Sequence, residues 1–217
     1  MMNDRWHQEL QSIASDYVIG VDECGNGSIA GPIVVCAVGA RKDWYLPGLN
    51  DSKKLSAKKR EAMVKELDEQ ANAFNIEYAI VQRSHKVIDQ IGIWLALLEC
   101  YQEAIGRVMA VLEANNKTHF TVILDGEGQR WSPDRPNAVA KSIPKADGFV
   151  PTVMAASILA KVCRDTQMTS LHQIYPNYHW NKNKGYLTTE HRAALEKFGA
   201  SPLHRQSFEP IKSMVKE

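Results

Sequence analysis

The chain has 217 residues, of which 44% are hydrophobic and 24% are charged, and its formal net charge is +1. This length and composition suffice for a buried core and exclude a disordered chain. Because the charge is nearly balanced, only local clustering of basic residues could favour a polyanionic partner. The polar N-terminus and the absence of a long apolar run predict a cytoplasmic protein without a membrane span. The four scattered cysteines predict reduced thiols rather than a zinc site.

Hydrophobic periodicity and turn residues predict alternating strands and helices along the chain. The expected elements, in chain order, are a helix within 2–15, strands at 17–21 and 33–38, a helix at 57–73 capped by Ser56, a strand at 76–81, one long helix at 86–113, a strand at 118–124, a loop at 129–137, a strand at 139–143, a small-residue helix at 152–168, a helix at 189–197 and an extended basic tail. The glycine-bearing turn between the first two strands predicts an antiparallel hairpin. A hairpin followed by alternating helices and strands is typical of a mixed α/β sheet with helices on its faces.

Four acidic residues stand where such folds place functional groups. Asp22 and Glu23 follow an apolar strand, Asp125 ends another, and Asp147 precedes the small-residue helix. Any one of them alone is more often a solvated turn residue or a helix cap. If the four meet, they repel one another, and a hard divalent cation would relieve that repulsion. Oxygen ligands favour Mg²⁺ or Mn²⁺ over zinc, and two such ions can promote hydrolysis of a phosphodiester.

The turn after Glu23 allows two hypotheses. The run Gly25-Asn26-Gly27-Ser28-Ile29-Ala30 formally fits the dinucleotide-binding pattern G-x-G-x-x-G/A. That mechanism requires a helix to begin in the turn, whereas Pro32 and a β-branched run follow here. The alternative is a turn whose backbone approaches a ligand closely, for which a sugar 2′-hydroxyl is a suitable target.

Six sequence blocks, in order from about residue 20 to the end, are similar to those of the type 2 ribonucleases H (ribonuclease HII). They are GVDECGNGSIAGPIVVCAV, LNDSKKLSAKKRE, ILDG, KADGFVPTVMAASILAKVCRD, KGYLTTEH and SPLHRQSF. The resemblance implies a ribonuclease H-like α/β fold, with a mixed five-stranded central sheet flanked by helices and a small C-terminal helical segment. It implies one domain over 1–217, with a catalytic core at about 17–175 and a substrate-contacting segment at about 176–217.

The resemblance also implies an activity. The chain would be an endonuclease that hydrolyses the RNA strand of RNA/DNA hybrids and cuts at ribonucleotides embedded in duplex DNA. Two divalent ions, Mg²⁺ or Mn²⁺, would assist, and the products would carry 5′-phosphate and 3′-hydroxyl ends. The implied roles are removal of ribonucleotides and RNA primers from DNA by a monomer whose partner is nucleic acid. A catalytically silent hybrid-binding module is the alternative, against which the presence of all four acids argues.

Carried over residue by residue, the resemblance assigns the site. Asp22, Glu23, Asp125 and Asp147 match the metal-binding and catalytic acids, with Asp22 touching both ions. The implied substrate contacts are Gly25, Asn26 and Gly27 in the turn, Lys53 on a backbone phosphate, and Tyr186 on the sugar at the RNA–DNA junction. Two further pairs, Lys161 with Arg164 and Lys182 with Lys184, are expected to widen a basic face.

One position departs from the family pattern. The family's turn usually reads Gly-Arg-Gly, and here the middle residue is Asn26. An arginine could clamp a phosphate with two hydrogen bonds and full charge, which asparagine cannot do. The sibling class, ribonuclease HIII, also lacks this arginine, but it carries an additional N-terminal substrate-binding domain. We therefore expect 2′-hydroxyl recognition to persist with weaker phosphate anchoring.

Overall fold

A computed structural model describes residues 4–117, 119–127, 131–133 and 135–214. Parts of four predictions lie outside these residues: the start of the helix within 2–15, Thr118 of the fourth strand, residues 129, 130 and 134 of the loop, and residues 215–217 of the tail.

The described secondary structure follows the predicted alternation of strands and helices. The strands are β1 Tyr17–Cys24, β2 Ile33–Arg41, β3 Ile76–Arg83, β4 Phe120–Asp125 and β5 Ala138–Ile143. The helices are α1 Asp4–Gln11, α2 Ala57–Asn72, α3 His85–Ile91, α4 Ile93–Ala114, α5 Pro151–Ile174, α6 Trp180–Asn183, α7 Thr189–Phe198 and α8 Ile211–Met214, with 3₁₀ turns at Ala146–Gly148 and Pro176–Tyr178.

The five strands form one sheet in the order β3-β2-β1-β4-β5. The mixed five-stranded α/β sheet is confirmed, and β1 and β2 are neighbours in it as predicted. β1 runs parallel to β4, with Val21 opposite Leu124, and β4 runs parallel to β5, with Asp125 opposite Ile143. The carboxyl ends of β1, β4 and β5 therefore lie side by side at the same end of the sheet.

The small-residue helix packs closely on the sheet, as its composition predicts. A Cβ atom added at Gly20 of β1 would lie 2.3 Å from the backbone nitrogen of Val153, in the first turn of α5. Only a glycine fits there, because even a methyl group would push the helix away from the strand. This contact fixes the start of α5 against the central strand.

The chain divides into two compact units, and each has its own buried residues. The first consists of Met1–Glu23, Val35–Val81 and Tyr101–Val162, and the second of Cys24–Val34, Gln82–Cys100 and Cys163–Glu217. In the second unit, a cluster of buried residues includes Ile29, Met168 and Trp180. The single domain with a boundary near residue 175 stays a prediction.

Two predicted elements are wrong. The long helix at 86–113 is broken at Gly92, whose positive φ of 84° ends α3 before α4 begins at Ile93. Glycine adopts that conformation without a side-chain penalty. The apolar periodicity of the sequence continues across Gly92, although the helix is interrupted there. The tail is not simply extended, because it contains α8 and buries His204 and Arg205.

Two further predictions concern the cysteines and the membrane. All four cysteines lie in the described part of the chain and none of them forms a disulfide, and Cys24, Cys36 and Cys100 are buried. Within the described residues, no helix combines the length and the apolar character needed to cross a membrane.

Candidate active site

The sheet brings the predicted acids together at the carboxyl ends of its parallel strands. β1 extends beyond its predicted end, so Asp22 and Glu23 lie within the strand rather than after it. Because Val21 pairs with Leu124, the next residues along the two parallel strands, Asp22 and Asp125, are neighbours. Asp147 lies in the 3₁₀ turn after β5, and its backbone N–H donates to Oδ1 of Asp125 at 3.3 Å.

Mutual repulsion and burial act on the acids of this cluster. Asp22 is only 7% exposed, and burial, followed by the charge of Glu23, raises its pKa well above the ordinary value. The pKa of Asp125 is raised as well, first by burial and then by the charge of Asp147. The four carboxyl groups are thus linked electrostatically from Glu23 to Asp147, with Asp22 and Asp125 between them.

Neighbouring hydroxyl groups hold two of the acids in place. The Tyr101 hydroxyl donates to Oε2 of Glu23 at 2.7 Å, and burial, followed by the charge of Glu23, raises the pKa of Tyr101. Ser157 hydrogen-bonds Asp22 and also the hydroxyl of Ser52, at 2.8 Å. The sequence interpretation missed Tyr101 and Ser157, because both lie in helical runs that indicate core packing and no local pattern shows where a hydroxyl points.

Lys53 lies beside the acids. Its Nζ is 2.9 Å from Oδ2 of Asp147, although the lysine side chain is 75% exposed. The hydrogen bond to Asp147 raises the pKa of Lys53. Its loop is anchored by the buried Ser52, whose carbonyl accepts a 2.9 Å hydrogen bond from Arg60. The contact with a phosphate stays a prediction, but the ammonium is held next to the carboxylates.

The cluster fits divalent cations in the kind and charge of its donors. All four candidate ligands are carboxylates, two have raised pKa values, and one already pairs with a cationic side chain. In the described part of the chain, no three or more His, Cys, Asp or Glu side chains stand in an arrangement that could hold a metal ion. The side chains would therefore have to turn toward one another to bind one.

The glycine turn belongs to the second unit and has an exposed tip. Gly25 is buried with φ of 97°, and a Cβ atom there would lie 2.1 Å from Nε of Arg164. Asn26 and Gly27 are exposed, and no atom of the described residues lies within 4 Å of a Cβ atom added at Gly27. The dinucleotide hypothesis is wrong in its structural requirement, because β2 and not a helix follows the turn.

Tyr186 lies against the same turn. Its side chain hydrogen-bonds Cys24 and the backbone of Gly25, and burial, followed by the charge of Cys24, raises its pKa. The guanidinium carbon of Arg164 lies 5.4 Å from the centre of the tyrosine ring. The structure thus brings together the two candidate recognition elements of the second unit, the turn and Tyr186.

The predicted basic face is wrong at one of its four members. Arg164 is fully buried, so it does not contribute to an exposed surface. Lys182 is exposed, whereas Lys184 is half-buried and donates to Thr169 Oγ1 at 2.8 Å. The sequence interpretation placed Arg164 on the surface because arginine is rarely fully buried.

The chain matches the family model described as ribonuclease HII over residues 19–211. The chain belongs to the ribonuclease HII family. It is 40% identical over 198 residues to the ribonuclease HII of Enterococcus faecalis, which covers 91% of this chain and 71% of the relative. The family places the chain among the ribonuclease H endonucleases, enzymes that depend on divalent metal ions.

Solved structures show the same fold. A ribonuclease HII from Archaeoglobus fulgidus, in complex with PCNA, superimposes with a TM-score of 0.66 at 23% identity, covering 88% of this chain and 95% of that one. Bst-RNase HIII in complex with Mn²⁺ superimposes with a TM-score of 0.68 at 16% identity, covering 95% of this chain and 71% of that one. The ribonuclease H-like fold implied by the sequence blocks is confirmed.

Proposed function

We propose that Asp22, Glu23, Asp125 and Asp147 are the catalytic acids with which this ribonuclease H cuts RNA strands in hybrids and ribonucleotides embedded in duplex DNA. One observation carries the assignment: two parallel strands and the turn after a third bring all four carboxyl groups into one electrostatically coupled cluster. Solvated turn residues would not have pKa values raised by burial and by neighbouring carboxylates, as those of Asp22 and Asp125 are.

The same cluster explains why the acids require cations. Two of the carboxyl groups resist ionisation because burial and neighbouring acids disfavour their charged forms. The four acids would hold two divalent cations, Mg²⁺ or Mn²⁺, since hard cations prefer oxygen ligands. When bound, such ions activate a water molecule and stabilise the charge that develops on the phosphate.

The other groups in the cluster position the acids. The Tyr101 hydroxyl holds Glu23, and Ser157, itself bonded to Ser52, holds Asp22. Lys53 donates to Asp147 and offsets its charge. Asp147 would help to hold the cations, and the exposed ammonium of Lys53 would then be available to a backbone phosphate.

Substrate recognition is proposed for the second unit. The exposed tip formed by Asn26 and Gly27 offers backbone groups to a 2′-hydroxyl, and Tyr186 offers a ring for the sugar at the junction. The contact between Tyr186 and Gly25 supports the idea that the two elements act on one nucleotide. Asn26 contributes no charge, so phosphate anchoring rests on other cations.

We further propose that the protein is a cytoplasmic monomer and that it folds as one domain, with a core at about 17–175 and a substrate-contacting segment at about 176–217. Nucleic acid is the proposed partner.

The test compares cleavage by the wild-type chain and by Asp125→Asn. The substrates are a duplex with a single ribonucleotide and a hybrid with a full RNA strand, each with Mg²⁺ or Mn²⁺. The wild type should cut, and Asp125→Asn should lose cleavage on the order of 10³-fold or more while still binding both duplexes. Asp43→Asn is the matched control, because Asp43 is an exposed acid that pairs with Arg41. Cleavage by Asp125→Asn at the wild-type rate would refute the assignment.

A further inference from the structure

Two arginines of the second unit are completely buried. Arg164 and Arg205 each have a relative exposure of 0%. Within the described residues, the hydrogen-bond acceptors of their guanidinium groups are backbone carbonyls and one hydroxyl, rather than carboxylates. Burying two cations without paired anions is costly, so a specific arrangement must compensate for it.

Arg164 holds both sides of the loop that follows the glycine turn. Its Nε donates to the Pro32 carbonyl at 2.9 Å, and its Nη2 donates to the Ala30 carbonyl at 3.1 Å and to Ser28 Oγ at 2.7 Å. The Ser28 hydroxyl in turn donates to the Gly25 carbonyl at 2.9 Å. The hydrogen bonds of Arg164 therefore reach from the end of the loop back to its first glycine.

Arg164 also reaches the segment that leads into Tyr186. Its Nη1 donates to the Lys184 carbonyl at 2.8 Å, and the backbone N–H of Ile29 donates to the Gly185 carbonyl at 2.9 Å. One guanidinium thus joins the glycine turn to the residues immediately before the tyrosine ring.

Arg205 binds the backbone at the tip of the glycine turn. Its Nη1 donates to the Asn26 carbonyl at 3.0 Å, and its Nε donates to the Gly31 carbonyl at 3.1 Å. Among the residues that the structure describes, no hydrogen-bond partner contacts its buried Nη2. Burial, followed by the charge of Arg164, lowers the pKa of Arg205 to about 9, so the group is still protonated at neutral pH.

We propose that Arg164 and Arg205 are positioning residues for ribonucleotide recognition. The two guanidinium groups turn the carbonyls of residues 26, 30, 31 and 32 inward and thereby fix the exposed tip, Asn26 and Gly27, in the conformation that reads a 2′-hydroxyl. This inference rests on the recognition role proposed above for the turn. Arginine suits the task because its planar fork can hold two or more carbonyls at fixed angles, which the single ammonium of lysine cannot do.

The experiment measures 2′-hydroxyl recognition directly, without cleavage. In an Asp125→Asn background, Kd is determined for a duplex with one ribonucleotide and for an all-DNA duplex of the same sequence. The ratio of the two Kd values reports the preference for the ribonucleotide. Arg164→Met and Arg205→Met should each reduce this preference on the order of tenfold, because a misplaced tip loses its contact with the hydroxyl. Arg192→Met, the same change at an exposed arginine of the second unit, should leave the preference unchanged.

Two milder variants keep the test decisive if a methionine variant fails to fold. Ser28→Ala removes only the hydroxyl between Arg164 and the Gly25 carbonyl, and Arg205→Lys keeps a cation but not the fork. Both should retain a cooperative thermal transition and lose part of the preference. A general loss of structure would weaken binding to both duplexes alike, whereas loss of positioning selectively weakens binding to the ribonucleotide-containing duplex.

The outcomes separate this inference from the proposed function. If the parent protein shows no preference for the ribonucleotide, or if Asp125→Asn still cuts, the proposed function fails. If the parent shows the preference and every folded arginine and serine variant keeps it within about twofold, the positioning role of Arg164 and Arg205 is overturned.

Discussion

The glycine turn permits a sharp prediction, because its two glycines stand in opposite environments. Gly25 is buried with φ of 97°, and a methyl group there would meet Arg164 Nε at 2.1 Å. Gly27 is exposed, and a methyl group there would meet no atom of the described part of the chain within 4 Å. The substitutions Gly25→Ala and Gly27→Ala therefore separate what the turn needs for folding from what it needs for function.

Gly25→Ala should destabilise the protein strongly. The left-handed backbone costs about 1–2 kcal/mol for a residue with a Cβ atom. Displacing the Arg164 guanidinium would weaken hydrogen bonds of a buried charge, at about 1–3 kcal/mol. Together these effects lower the free energy of unfolding by roughly 2–5 kcal/mol, which corresponds to a Tm lowered by about 5–15 °C for a chain of this size.

Gly27→Ala should leave stability nearly unchanged, within about 0.5 kcal/mol, because the site is open and its backbone is not left-handed. If a sugar approaches the backbone at this position, the new methyl group occupies the space it needs. We then expect kcat/KM for the single-ribonucleotide duplex to fall by about 10-fold to 10²-fold.

The assay pairs thermal unfolding with cleavage kinetics for both variants. A Gly27→Ala protein with wild-type Tm and wild-type kcat/KM would show that the tip does not approach the substrate. A Gly25→Ala protein with wild-type Tm would show that the packing of Arg164 on this glycine does not matter to the fold.

Three further predictions follow from the charges. Asp22→Asn should abolish cleavage yet raise the unfolding free energy of the metal-free protein by about 0.5–2 kcal/mol, because a neutral amide avoids the burial and repulsion that raise the pKa of Asp22. It should also lose the stabilisation that Mn²⁺ or Mg²⁺ gives the wild type, which amounts to about 2.7 kcal/mol at a hundredfold excess over Kd and is measured as a rise in Tm. Asn26→Arg should steepen the salt dependence of duplex binding by ~0.9 on a log–log plot, since it adds one phosphate contact. Finally, burial is the chief cause that lowers the pKa of His204 to about 4. Below pH 6.5 the unfolded chain therefore takes up a proton that the folded protein does not, and the free energy of unfolding decreases as the pH falls from 6.5 toward 4. The loss should amount to ~3 kcal/mol, seen in urea unfolding over this pH range, and should be smaller in His204→Asn.

Each of these predictions can be contradicted by one result. A lower Tm for metal-free Asp22→Asn would mean that the carboxylate stabilises the fold through contacts that outweigh its repulsion. An unchanged salt slope for Asn26→Arg would mean that the turn does not face a phosphate. Equal acid sensitivity of the wild type and His204→Asn would mean that other groups dominate unfolding at low pH.

The sequence predicted the sheet and the acids because both depend on local rules. Apolar runs of strand length predict the five strands, and the carboxyl ends of parallel strands are where α/β folds place functional groups. Asp125 was therefore expected at a strand end, and the register of β1 with β4 makes it a neighbour of Asp22. The sequence does not predict the helix break at Gly92, because the apolar periodicity continues through a single glycine.

The supporting residues could not be predicted because their partners are distant in sequence. Tyr101 hydrogen-bonds Glu23 across 78 positions, and Arg164 hydrogen-bonds Pro32 across 132. A tyrosine in an apolar helix indicates core packing, and an arginine beside a charged residue indicates a solvated surface. Only the tertiary structure shows that both side chains hold elements of the proposed sites.

The last two sequence blocks gain a physical meaning from the hydrogen bonds of two buried histidines. His204 Nδ1 accepts from the Ser201 N–H at 2.8 Å, so its proton lies on Nε2, which faces His191 Nε2 at 3.1 Å. The indole N–H of Trp180, which can only donate, also points to His191 Nε2, at 3.2 Å. His191 Nε2 must therefore accept, and His191 donates from Nδ1, which lies 2.9 Å from the Tyr186 carbonyl. This chain of hydrogen bonds requires both imidazole rings to be neutral. Burial lowers the pKa of both histidines and thereby favours their neutral forms. KGYLTTEH and SPLHRQSF therefore meet in one hydrogen-bonded network: the first supplies Tyr186 and His191, and the second supplies His204, which together with Trp180 holds His191 in the tautomer that donates to the Tyr186 carbonyl.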